Sequence, residues 1–153
     1  MIKYIDGDLV KEAELFDVIA HCCNCFCTMG AGIAPQIKAK FPEAYEVDCE
    51  TIKGDESKLG TITFTENTQP IVVNLYGQYD YTGRRHGEMD LDYDALRSAL
   101  RAMKEEFSGL LFGMPKIGAG LAGGDWKKIE GIIEDVMRGE YVVIVEWENE
   151  PNK

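Results

Sequence analysis

Two glycine-rich segments carry the residues best suited to bind an anion. The first runs from Thr28 to Ala34 and the second from Ile117 to Gly124. Each follows an apolar stretch and precedes an amphipathic one, so each is expected to connect a strand to the N-terminus of a helix. A helix N-terminus offers free N–H groups, and glycine lets the backbone approach a phosphate closely. Together the segments predict a diphosphate site, although each alone could be only a tight turn.

The second segment also matches the dinucleotide fingerprint G-x-G-x-x-G at Gly118, Gly120 and Gly123. That fingerprint opens a nucleotide-binding half-domain of several strands. Here only one predicted strand follows it, so no such half can be built behind it. We therefore interpret the segment as a phosphate loop outside a Rossmann domain.

Three polar side chains beside these segments are candidates for catalysis. His21 ends an apolar stretch, where its imidazole could act as a general acid or base, or simply bond to the backbone. Asn24 can donate and accept at once, which suits a pair of ribose hydroxyls, but it could equally stabilise a turn. Asp125 precedes an amphipathic stretch, so its carboxylate could orient water or only cap a helix.

The cysteines offer a metal site as an alternative. Cys22, Cys25 and Cys27 lie near His21 and supply zinc-type ligands. However, no second pair follows, and Cys22 and Cys23 would point to opposite faces of a strand. We expect Cys22 and Cys23 to be buried, Cys25 and Cys27 to be more exposed, and the chain to need no metal or other cofactor.

A compact basic cluster stands out in an otherwise acidic chain. Arg84, Arg85 and His86 lie within a polar stretch predicted as a surface loop over residues 80–90. They could attract ligand phosphates, or they could be a solvated loop. The net charge of -11 disfavours nucleic acid and anionic membranes in general.

Strands alternate with helices along the chain, which predicts an α/β sandwich with helices on both faces of the sheet. The expected strands are residues 1–5, 18–23, 60–66, 71–76, 110–114 and 141–147. The expected helices are residues 32–40, 43–52, 92–107 and 125–138, and residues 148–153 are expected to fray. The 153 residues suit one domain. Because the sequence shows no apolar leader or membrane span and has an odd number of cysteines, we expect a cytosolic protein. We also expect a monomer.

In these segments the chain resembles a macrodomain. The resemblance rests on four stretches in the family's order: Asp6–Leu9, Ala20–Asn24 with Met29–Ala34, Asn74–Gln78, and Met114–Leu121. It implies a three-layer α/β/α sandwich with a mixed sheet, and ADP-ribose as the ligand. Within the family the chain is most similar to the branch of ADP-ribose-1″-phosphate phosphatases and terminal ADP-ribose-protein glycohydrolases, including phage and bacterial members.

The resemblance also implies roles for individual residues. Asp8, with Leu9, would contact adenine, and Asn24 would orient the distal ribose. The expected diphosphate cradle comprises Gly30, Ala31, Gly32 and Ile33 of the first segment and Gly118, Ala119, Gly120 and Leu121 of the second. Further ligand contacts are expected from Met29, Ala34, Pro115, Ile117 and Ala122.

The expected reaction is hydrolysis of ADP-ribose-1″-phosphate, with His21 or Asp125 handling the proton. The alternatives are an ADP-ribosyl hydrolase, an O-acyl-ADP-ribose deacylase and a non-catalytic ADP-ribose-binding module. The glycohydrolases use a lysine near residues 76–78 and an aspartate directly after the second loop's leucine. This chain has no lysine there and has Ala122 after Leu121. A covalent lysine mechanism is therefore not expected.

Overall fold

Six strands form one sheet within residues 2–147, the part of the chain that the computed structural model describes, apart from the side chain of Arg84. The strands are β1 (Ile2–Asp6), β2 (Val18–Cys22), β3 (Ile62–Phe64), β4 (Ile71–Leu75), β5 (Leu111–Met114) and β6 (Tyr141–Glu146). Their order is β1-β6-β5-β2-β4-β3, and only β3 runs antiparallel to its neighbour among these strands. The predicted mixed sheet is confirmed.

Helices cover both faces of this sheet. They are α1 (Ala34–Lys40), α2 (Pro42–Cys49), α3 (Tyr93–Phe107) and α4 (Trp126–Val136). Because side chains alternate along a strand, Val18 and Ala20 of β2 face one core and Ile19 faces the other. The first core contains apolar residues of α3 and α4, and the second contains those of α1 and α2. The three-layer α/β/α sandwich follows from this alternation.

The helix boundaries follow local sequence signals. Asp92 caps α3 by accepting a hydrogen bond from the Ala95 amide at 3.0 Å. The predicted first helix starts two residues later than expected, at Ala34, because Gly32 adopts a left-handed φ of 66°. The expected strand residue Met1 and the tail 148–153 lie outside the described residues. No helix among those described is long and apolar enough to cross a membrane.

The order of the strands brings the two glycine segments together. β2 and β5 are parallel neighbours, and the chain leaves both at the same edge of the sheet. Residues 23–33 connect β2 to α1, and residues 115–125 connect β5 to α4. We call these connections loop 1 and loop 2. Parallel sheets bind ligands beyond the carboxyl ends of their strands.

Candidate functional site

A cavity of about 350 Å³ lies between loop 1 and loop 2. It falls at the lower end of the range for small-molecule sites, roughly 300–1,000 Å³. From loop 1 and the end of β2 it is lined by His21, Cys22, Cys23, Asn24 and Thr28 to Ala34. From loop 2 it is lined by Pro115, Lys116, Ile117, Gly118, Gly120, Leu121 and Ala122. The structure thus brings most of the predicted site residues to one cavity.

Eight residues that line the cavity have backbone amides without a hydrogen-bond partner among the described residues. In loop 1, the N–H groups of Gly30, Ala31, Gly32 and Ile33 donate no hydrogen bond within the described part of the protein. The same holds in loop 2 for Gly118, Gly120, Leu121 and Ala122. Since all eight residues line the cavity, these donors are available to an anionic ligand.

Two glycines of loop 2, Gly118 and Gly124, leave no room for a side chain. Gly118 has a φ of 74°, and a Cβ there would lie 2.9 Å from both Cδ atoms of Leu91. A Cβ on Gly124 would lie 2.6 Å from the Gly118 carbonyl oxygen. The Gly124 amide donates to that oxygen at 2.8 Å, which closes the loop. The glycines therefore hold the open amides in place as well as clearing space.

Asn24 lies at the start of loop 1 and bonds within it. Its Nδ2 donates to the Thr28 hydroxyl at 2.7 Å, and its Oδ1 accepts from the Phe26 amide at 2.8 Å. These bonds stabilise the turn that leads to the open amides. The side chain is half-buried and lines the cavity, so its second amide hydrogen is available to a ligand.

His21 is buried in β2, with 1% of its surface exposed. Its Nε2 lies 2.7 Å from Asn74 Oδ1, which can only accept. The Asn74 amide is fixed by Nδ2 donating to the Ala44 carbonyl at 3.0 Å. His21 is therefore the neutral tautomer with its proton on Nε2. Burial lowers the pKa of His21, which keeps the ring neutral at pH 7.

The hydrogen bonds continue from Asn74 to a buried carboxylate. Asn74 Nδ2 donates to Thr63, whose hydroxyl lies 2.7 Å from the Tyr76 hydroxyl, and Tyr76 donates to Asp48 at 2.7 Å. Since Asp48 only accepts when ionised, the chain of donors runs in one direction from His21 to Asp48. Asp48 also pairs with Lys58 and lines the cavity.

Burial disfavours the thiolate form of three cysteines in or next to loop 1: Cys22, Cys23 and Cys25. Burial raises the pKa of Cys22 to about 12 and that of Cys25 to about 11, and it also raises the pKa of Cys23. A nucleophile or a zinc ligand requires the thiolate. The expectation that Cys25 is exposed was wrong, because its thiol points inward and bonds to the Gln78 carbonyl at 3.5 Å.

Four predicted site residues are not among those that line the cavity: Asp8, Leu9, Ala119 and Asp125. Asp8 follows β1, and its Oδ1 accepts from the amides of Val10 and Lys11 at 3.0 and 3.1 Å. Asp125 is exposed and caps α4 by accepting from the Lys127 amide at 3.1 Å. Both carboxylates therefore have local structural partners.

The Macro domain family model matches residues 20–133. The chain belongs to the Macro domain family. This macrodomain is 36% identical over 157 residues to a 17.5 kDa protein of Enterobacteria phage T4 from the tk-vs intergenic region, with 97% of each chain covered. It is 34% identical over 169 residues to the ADP-ribose 1″-phosphate phosphatase of Debaryomyces hansenii, covering 90% of this chain and 92% of that protein. A solved protein of unknown function from Bacteroides thetaiotaomicron superposes with a TM-score of 0.79 at 29% identity, covering 95% and 98% of the two chains.

One wall of the macrodomain cavity comes from residues outside the predicted site. Gln78, Tyr81, Arg85 and Asp90 line it from the segment between β4 and α3. The segment was predicted as a surface loop, but it contains a one-turn 3-10 helix at Gly83–His86. The basic cluster was the only sequence signal for this wall.

Proposed function

We propose that the chain binds ADP-ribose across loops 1 and 2 and hydrolyses ADP-ribose-1″-phosphate to ADP-ribose and phosphate. The observation that carries the proposal is the set of eight open backbone amides, four on each loop, around one cavity. Amides on two sides suit a diphosphate, whose two phosphates each need several donors. The resemblance to the Debaryomyces hansenii phosphatase supports the choice of reaction.

The cavity amides would serve binding and catalysis together. They are fixed before the ligand arrives, so they stabilise negative charge without reorganising. Asn24 would orient the distal ribose through its free amide hydrogen. Water would attack C1″ as the bond from C1″ to the phosphate oxygen breaks. The phosphate would leave with the bonding pair and take up the proton that the water releases, which gives hydrogen phosphate.

Proton transfer was predicted for His21 or Asp125. The His21 Nε2–H is engaged by Asn74, and Asp125 is exposed on the helix cap. The departing phosphate can itself take up the proton that the attacking water releases, so the step does not require a side chain that moves a proton. We therefore propose that ligand positioning and the amide cradle supply most of the rate enhancement, and that Asn24 is the catalytic side chain.

A non-catalytic ADP-ribose reader is the second candidate. It is favoured by the surroundings of the two predicted proton-transfer residues. His21 Nδ1, the unprotonated ring nitrogen, lies 3.6 Å from the buried Cys23 thiol, and Asp125 does not line the cavity. It would keep the amide cradle and Asn24 and show no turnover. For either function we propose a small-molecule ligand, a monomer and a cytosolic setting, the last because all five cysteines are free.

The test is phosphate release from ADP-ribose-1″-phosphate, measured beside ADP-ribose binding. We expect the wild type to bind ADP-ribose and to release phosphate. Asn24→Ala should lose at least tenfold in kcat, whereas Asn67→Ala, an exposed asparagine far from the cavity, should match the wild type. Binding without turnover would establish the reader, and the absence of binding would reject both candidates.

A further inference from the structure

Arg85 is a cavity-lining cation without an ionic partner among the described residues. Its side chain is exposed and belongs to the 3-10 helix Gly83–His86. Lys116 also lines the cavity, but its Nζ lies 2.8 Å from a carboxylate oxygen of Glu146. The Arg85 guanidinium has no counter-charge within the described part of the protein. It is available to an anionic group of the ligand.

The short helix that carries Arg85 is anchored to the segment around it. The Gly83 amide donates to both carboxylate oxygens of Asp90, at 3.0 and 3.1 Å. The Arg85 amide donates to the Thr82 carbonyl at 3.1 Å, and the Thr82 hydroxyl donates to Asp80 at 3.2 Å. Hydrogen bonds therefore hold the backbone that positions the guanidinium. The same bonds occupy the two nearby carboxylates of Asp80 and Asp90.

The sheet order places Arg85 beyond one end of the amide cradle. Loops 1 and 2 follow β2 and β5, and the segment with Arg85 follows β4, which lies on the far side of β2 from β5. Beyond the other end of the cradle are β6 and β1. The carboxyl ends of those strands and the turn after β1 carry acidic residues: Asp6, Asp8, Glu12 and Glu146. The segment after β4 also carries acidic residues, Asp80, Glu88, Asp90 and Asp92. What distinguishes the β4 side is Arg85, because the cavity-lining cation Lys116 is already paired with Glu146.

We infer that Arg85 binds the phosphomonoester on the distal ribose and makes the site prefer ADP-ribose-1″-phosphate over ADP-ribose. This inference rests on the proposed function and adds the residue that selects its substrate. A guanidinium binds phosphate through two parallel N–H donors, a geometry that lysine lacks. The open amides hold the diphosphate, which both ligands share. Arg85 faces the group that differs between them.

The experiment compares Arg85→Gln and Arg85→Lys with the wild type on both ligands. Arg101→Gln is the matched control, because it removes the same charge from an exposed position on α3, away from the cavity. We expect Arg85→Gln to raise the KM for ADP-ribose-1″-phosphate roughly tenfold or more. Its Kd for ADP-ribose should stay within about twofold of the wild type. Arg85→Lys should fall between, and Arg101→Gln should match the wild type.

The outcomes separate this inference from the proposed function. If Arg85→Gln weakens the binding of both ligands equally, Arg85 contacts the diphosphate. If it changes the binding of neither ligand, Arg85 is not part of the site. Either result overturns the inference. If the wild type binds without turnover, the ratio of the two Kd values replaces KM, and a ratio unchanged by Arg85→Gln overturns it. A wild type that binds neither ligand rejects the proposed function, and the inference falls with it.

Discussion

Lys58 Nζ lies 3.0 Å from Asp48 Oδ1, with only 4% and 1% of the two side chains exposed. The pair lies behind loop 1, where Tyr76 also donates to Asp48 and the Cys27 thiol donates to the Asp48 carbonyl at 3.3 Å. A buried ion pair is expensive to break, because removing one partner leaves the other charge in a medium that solvates it poorly. Asp48 and Lys58 therefore couple the stability of the fold to the position of loop 1.

Replacing Lys58 with methionine should destabilise the protein by about 3–5 kcal/mol, since Asp48 would stay buried without its counter-charge. Urea unfolding measures this change. Lys53→Met, at an exposed position, should change the free energy of unfolding by less than about 0.5 kcal/mol. If Lys58→Met lowers the free energy of unfolding as little as Lys53→Met does, the buried ion pair contributes nothing to stability.

Stability should fall as the pH drops below about 6.5. Burial lowers the pKa of His21 in the folded protein, so the unfolded chain takes up a proton first. The stabilisation from His21 is complete above its ordinary pKa of 6.5 and is lost as the pH falls toward the folded value. The slope is at most about 1.4 kcal/mol per pH unit.

Unfolding curves between pH 7.5 and 5 test this prediction. His21→Gln should flatten the pH dependence in this window, although it also lowers stability overall. His86→Gln, at the exposed second histidine, should keep the wild-type profile. A His21→Gln profile parallel to that of the wild type would refute the assignment.

Asp125 should act on stability rather than on turnover. Asp125→Ala removes the cap of α4 and should cost about 1 kcal/mol, whereas Asp125→Asn keeps a capping oxygen and should cost little. Because Asp125 is exposed and does not line the cavity, we expect Asp125→Asn to retain phosphate release. Loss of turnover in Asp125→Asn, with unchanged stability, would instead restore the catalytic role predicted from the sequence.

Gly118→Ala should destabilise the protein by at least about 1–2 kcal/mol. The residue has a left-handed φ, and a Cβ there would contact Leu91 at 2.9 Å. Gly131→Ala is the matched change on α4, where nothing lies within 4 Å of the new Cβ, and it should stabilise the protein by about 0.5–1 kcal/mol. Equal effects of the two changes on urea unfolding would contradict the structure of loop 2.

Much of the fold could be predicted because its signals are local. The apolar spacing of Leu96, Leu100 and Met103 predicted α3, and the structure begins that helix one residue after the expected start, at Tyr93. Both loops were located because glycine clusters followed predicted strands. Their meeting at one cavity required only that their strands be parallel neighbours.

The missed features depend on contacts between distant residues. Lys58 lies in a polar stretch that is typical of a surface turn, and nothing local indicates that it is buried against Asp48. Cys25 is buried because the segment after β4 covers it, as its bond to Gln78 shows. Arg85 reaches the cavity because β4 is the neighbour of β2, and strand order is not encoded in local periodicity.

Calorimetric titration with ADP-ribose tests the central claim, that the open amides of the two loops form the ligand site. Gly30 is the position to change: a Cβ there comes no closer than 3.8 Å to its nearest neighbour, so Gly30→Glu can fold while placing a carboxylate beside the amides. We predict saturable one-to-one binding by the wild type and by the charge-matched control Gly131→Glu, and loss of binding in Gly30→Glu. No binding by the wild type at millimolar ADP-ribose, or equal affinity in Gly30→Glu, would contradict the account.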